Sequence, residues 1–115
     1  MQYMILIHSE PMDGPNPGEP GFDEMMAPWM AYNQKLIDGG HYVAADQLLG
    51  VETATTIRRA YGAGDTIIDG PFAETKEHFG GYYIVEAKDL NEALALAAEV
   101  PIPAGSLEVR PVVPS

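Results

Sequence analysis

Asp69, Lys76 and Glu77 place two carboxylates and one ammonium in a short stretch that also carries the corner Gly70-Pro71. The stretch runs on into Phe79-Gly80-Gly81-Tyr82-Tyr83. Proline sets its own φ and has no N–H to donate, while glycine tolerates a tight approach, so the chain direction just after Asp69 is constrained. A carboxylate held against apolar strand residues has its charged form disfavoured and can then act as a general acid or base. On that reading Asp69 is the acid or base, and Lys76 and Glu77 tune or orient it. The competing reading is architectural, with Asp69 accepting from turn amides and Lys76 paired with a nearby acid.

His8, at the end of the first apolar run, is the optional fourth member of a catalytic set, because imidazole exchanges protons near neutral pH. A histidine on an apolar face is more simply a packing residue. His8, Glu10 and Asp13 have metal-ligating side chains, but their proline-rich segment lacks the helix or hairpin spacing that would hold a ligand geometry. No metal and no cofactor are expected. Trp29, Tyr32 and Tyr82, with Tyr83 beside them, could wall a planar apolar ligand, although each taken singly reads more simply as core. Gly62-Ala63-Gly64 has the look of a hairpin turn rather than a phosphate loop, since no helix follows it.

The elements that must position these residues follow from pattern. A strand is expected over residues 2–8, then a Pro/Gly-rich segment from Ser9 to Gly21, either a lid or a stiffened surface loop. A first helix is expected over about 23–38, ending at Gly39-Gly40, with its regular part starting near Pro28. Met26, Met30, Asn33 and Ile37 lie along one of its faces, beside Trp29, Tyr32 and Leu36, and form the expected core stripe. Asn33 needs a hydrogen-bond partner there. Strands are expected at about 42–49, 55–61, 66–69, 81–87 and 106–112, the second and third of these forming a hairpin. Gly80-Gly81 predicts a bulge or a close backbone approach. Asp89 and Glu92 have capping-box spacing at the start of a second helix, whose inner face is read as Leu90, Ala93, Leu94 and Ala97 and which Pro101 ends.

The order is that of a ferredoxin-like βαββαβ domain with an inserted β-hairpin: an α+β fold with two helices on one face of an antiparallel sheet. The first strand is apolar on both faces, Tyr3, Ile5 and Ile7 on one and Met4, Leu6 and His8 on the other. A solvated second face would be polar, so a second copy of the chain is expected to cover it, making a homodimer.

A chain of 115 residues suits a single domain over 1–115. Without cysteine it has no disulfide or thiolate chemistry. Six basic residues against seventeen acidic leave no basic stripe for phosphates, so nucleic acid is not an expected partner. No apolar run reaches the ~20 residues of a membrane helix. The first strand has no basic lead-in or cleavage site before it, so the expected location is cytoplasmic and no membrane partner is expected.

The chain resembles the DGPF family, itself related to the YCII-like proteins. The resemblance rests on Met1 to His8, Trp29-Met30-Ala31-Tyr32, Asp69 to Glu77, Gly80-Gly81-Tyr82-Tyr83 and Val109-Arg110-Pro111. It implies a dimeric α/β barrel. The resemblance carries no reaction; the rigidly placed acid in the densest polar cluster motivates one functional reading, a small-molecule enzyme doing acid/base chemistry in a pocket of the dimer with Asp69, Lys76, Glu77 and His8. In YCII proteins the proposed active site pairs an aspartate with a histidine on the first helix; the corresponding helix here carries Trp29, Tyr32 and Asn33, so that pair does not carry over. The alternative, motivated by the acidic surface, the missing helix histidine and the lack of a complete catalytic set, is a non-catalytic regulatory or ligand-binding module acting through a protein partner. The resemblance implies a sigma factor as one such partner, since some relatives occur with extracytoplasmic-function sigma factors.

Overall fold

The computed structural model describes residues 1–11 and 14–115. Strand β1 (Gln2–Ser9) is followed by helix α1 (Phe22–Asp38), then β2 (Tyr42–Gln47) and a single 3-10 turn at Val51–Thr53. Next come β3 (Thr55–Ala60), β4 (Gly64–Asp69), β5 (His78–Glu86), helix α2 (Leu90–Ala97) and β6 (Ser106–Pro111). Four strands form one antiparallel sheet in the order β2-β5-β1-β6, and among the described residues β3 and β4 pair only with each other. The architecture is α+β, and this strand order is compatible with a ferredoxin-like arrangement.

Side-chain alternation divides the main sheet into two faces. Tyr3, Ile5 and Ile7 of β1 and Tyr83 and Val85 of β5 join Tyr32 and Leu36 of α1 and Ala93, Leu96 and Ala97 of α2 in one buried cluster. Both helices therefore cover the same face. The opposite face carries Met4, Leu6, His8, Tyr82 and Ile84, all half-buried.

Three local readings need correction. Helix α1 starts at Phe22 and runs through Pro28. Pro28 and Glu24 are both exposed, so water can serve the Glu24 carbonyl that the proline leaves without a donor. Helix α1 is also turned relative to the expected stripe. Tyr32 and Leu36 are buried, whereas Met30 is 67% and Ile37 52% exposed. Similarly, α2 buries Leu96 with Ala93 and Ala97, while Leu90 and Leu94 are exposed. Its start is as expected: the Asp89 carboxylate accepts from the Glu92 amide at 2.9 Å, and Glu92 accepts in return from the Lys88 amide at 3.0 Å.

The Gly80-Gly81 pair behaves as its sequence predicts. The β1–β5 register slips between Ile7 and His8, so that Ile7 faces Gly81 and His8 faces Phe79. That slip is a β-bulge, which bends the strand and re-aims the side chains beyond it. At Gly81 the neighbouring strand comes so close that a Cβ would sit 2.9 Å from the Asp46 carbonyl oxygen.

Candidate functional site

The bulge turns Phe79 onto the open face of the sheet, where its ring meets that of His8 at 5.7 Å between centroids, tilted by 55°. Strand β6 lies on the other side of β1, with His8 opposite Ser106 and Leu6 opposite Glu108. That register sets Glu108 diagonal to His8, and the two side chains meet, His8 Nε2 lying 3.3 Å from Glu108 Oε1. An imidazole beside a carboxylate is held in one orientation by that contact.

A second polar pair flanks the same face. Asp46 of β2 stands directly across from Tyr82 of β5, and the Tyr82 hydroxyl donates to Asp46 Oδ2 at 2.6 Å. Ionisation of Tyr82 is pushed above the ordinary phenol range, first by this hydrogen bond and then by partial desolvation. Between the two pairs lies Leu6, with Met4 and Ile84 beside it in the next row along the strands. The face is thus an apolar floor with a proton carrier at one end and a fixed hydroxyl–carboxylate pair at the other.

The residues singled out from sequence are distributed around this floor. Asp69 ends β4 opposite Thr55 and is exposed. The corner after it is clamped: the Gly70 amide donates to the Ala54 carbonyl at 2.8 Å, and the Thr56 hydroxyl donates to the Gly70 carbonyl at 2.7 Å. Gly70 has φ of 107°, a conformation side-chain-bearing residues avoid, which accounts for glycine in this corner. Lys76 is exposed. Glu77 accepts from the Ser106 hydroxyl at 2.6 Å and lines a cavity of about 180 Å³ with Glu10, Pro11, Pro103, Ala104 and Gly105. Strand β6 therefore gathers Glu77 and His8 at one end, through Ser106 and Glu108. Among the described residues no hydrogen bond or ion pair links Asp69 or Lys76 to His8 or Glu77 within one chain.

The aromatic candidates separate onto the two faces. Tyr32 is in the core, its ring edge-on to Tyr83 at 5.2 Å and its hydroxyl donating to the Leu96 carbonyl at 2.7 Å. Trp29 packs against that core, whereas Tyr82 is on the open face. Asn33 finds its partner in Tyr83, whose hydroxyl donates to Asn33 Oδ1 at 2.5 Å.

Sequence reasoning passed over Asp46, Glu108 and Phe79. Asp46 is the one acid in β2, and Glu108 stands between Leu107 and Val109 in an alternating strand. Either could have been marked as facing away from the core, but their partners depend on strand register. Of the suggested ligands to a metal, Asp13 lies outside the described residues. Among the described residues no group of three His, Cys, Asp or Glu side chains is placed to hold an ion.

Residues 1–115 match the family model of the YCII-related domain. The chain belongs to the YCII-related family. An uncharacterised protein of Rhizobium meliloti (strain 1021) is similar to it, with 36% identity over 94 residues, spanning 78% of this chain and 74% of that protein. In this YCII-related chain α1 presents Asn33 to the sheet, already engaged by Tyr83, and the histidine near the open face comes from β1 instead. No helix among the described residues is long and apolar enough to cross a membrane.

Proposed function

We propose that this YCII-related protein binds a small, partly apolar molecule on the open face of its sheet and performs acid/base chemistry there, in a pocket closed by a second copy of the chain. The observation that carries the reading is the His8–Glu108 pair at the edge of the half-buried Met4, Leu6 and Ile84 floor. His8 accepts or returns the proton, Glu108 orients the ring, and Phe79 restricts the ring's approach. Tyr82, held by Asp46, supplies a directed hydroxyl for a polar group of the ligand. Asp69, Lys76 and Glu77 are the further charged groups of the pocket in the assembled protein. A face this apolar is poorly suited to water, which supports a covering copy.

A thermal-shift screen of small planar compounds tests the reading. Compounds that bind should raise the melting temperature of the native protein and have little effect on Leu6→Glu. For any compound that is converted, His8→Gln should retain binding and lose turnover. Hits that stabilise Leu6→Glu equally would remove the open face from consideration. Undiminished turnover by His8→Gln would remove the proton role.

A further inference from the structure

The paired strands β3 and β4 form an arm that the rest of the chain leaves uncovered. Every arm residue except Thr56 is exposed, including Ile57 at 59% and Ile67 at 71%. Ile57 and Ile67 are directly opposed across the ribbon, so their side chains share one face. That face continues to the Arg59–Asp65 pair, joined by two hydrogen bonds of 2.7 and 2.8 Å, at one end and to Asp69 at the other. A two-stranded ribbon alone is marginal in water, so an arm with two isoleucines outward needs a surface to lie on.

The uncovered surface is large enough for a second copy to cover. A folded chain of 12.4 kDa has an expected accessible surface of roughly 6100 Å². This chain exposes 8246 Å². The excess, roughly 2100 Å², is more than twice the ~800 Å² per partner that a stable interface removes. The radius of gyration is likewise 16.5 Å, against about 13 Å for a compact domain of this length. Charge favours the arm as the contact. Residues 55–69 hold Arg58, Arg59, Asp65 and Asp69 and are neutral, within a chain of net charge −11, so this segment approaches another copy with little charge repulsion.

We propose that the arm of each copy crosses to a second copy and spans that copy's open sheet face, its Ile57–Ile67 face roofing the space above Leu6. The inference rests on the pocket reading given above and deepens it by naming the cover. The arrangement is isologous, because each copy has both an arm to donate and a sheet face to receive one. Asp69 lies on the docking face, so the acid of one copy enters the pocket built on the His8–Glu108 pair of the other. The pocket is then incomplete in a single chain, which accounts for the separation of Asp69 from His8 within one copy.

The chain has no cysteine, so introduced thiols report without background. Ile67→Cys and Leu6→Cys proteins are prepared separately, mixed, and treated with a short bismaleimide; Asp69→Cys and His8→Cys form a second pair. Covalent dimers should appear in both mixtures and in none of the four proteins alone. Ile67→Cys linking to itself would place arm against arm and overturn the proposal. Linkage in the first mixture only would overturn the delivery of Asp69. Sedimentation of the native chain separates the two levels: a dimer without mixed linkage sinks the arm exchange alone, and a monomer sinks the covered pocket as well. Ile57→Ser combined with Ile67→Ser removes two isoleucines from each of the two docked arms and should weaken self-association roughly 10,000-fold. Unchanged association of that variant would also overturn the proposal.

Discussion

Replacement of Tyr32 by phenylalanine removes one hydroxyl from the junction of the two helices and tests whether that bond locks α2 onto α1. Tyr32 is 5% exposed, and its hydroxyl donates to the Leu96 carbonyl at 2.7 Å. That carbonyl also accepts from the Glu99 amide at 3.2 Å, so the variant does not leave it without a donor. The loss should therefore be near the net value of one hydrogen bond, about 1 to 1.5 kcal/mol, and below the ~3 kcal/mol of an orphaned buried group. With an unfolding entropy of about 2.1 cal/mol/K per residue, the 115 residues give roughly 0.24 kcal/mol/K, so the melting temperature should fall by about 4 to 6 °C.

The same residue predicts an alkaline limb. Burial, reinforced by Tyr83 and Glu99, pushes Tyr32 ionisation far above the ordinary phenol range. The unfolded chain releases this proton near pH 10 while the folded chain keeps it. The contribution is thus complete below about pH 10 and is lost as the pH climbs toward the folded value, at up to about 1.4 kcal/mol per pH unit. Urea unfolding of native and Tyr32→Phe protein, at neutral pH and through the alkaline range, measures both effects. The variant should be weaker at neutral pH, and the gap should close above pH 10 because the variant lacks this tyrosine's share of the slope. Equal midpoints at neutral pH, or parallel alkaline slopes, would refute the reasoning.

Two further pairs of substitutions probe how the layers meet. Leu36→Ala should cost about 2 to 5 kcal/mol because Leu36 is fully buried. Ile37→Ala, one position along and half-exposed, should stay within about 1 kcal/mol; equal losses in urea midpoints would mean that α1 presents a different face. Gly81→Ala should cost about 1 to 3 kcal/mol, since its methyl would press on the β2 backbone at Asp46, whereas Gly80→Ala meets nothing within 4 Å and should be nearly neutral. Indistinguishable midpoints for the two glycine variants would remove the close approach of β2 and β5.

The sequence by itself determined the order of helices and strands, the α2 cap and the irregularity at Gly80-Gly81. Each of these is written locally: in a capping acid three residues before a glutamate, in periods of two, or in paired glycines. The rotation of α1 was not written that way. Met25, Met26, Trp29, Met30, Tyr32, Leu36 and Ile37 spread apolar side chains around more than one stripe, so periodicity admits several inner faces. Contact with Tyr83 and Leu96, distant in sequence, selects the one containing Tyr32 and Leu36. The candidate site divides likewise. His8 was recognisable as a proton carrier from its residue type, and Asp69 from its place before a Gly-Pro corner. That His8 meets Glu108 follows from the β1–β6 register, a pairing of positions 100 residues apart that no local pattern encodes. Hydrogen bonds between strands set which side chains share a neighbourhood, and only the folded sheet brings those strands together.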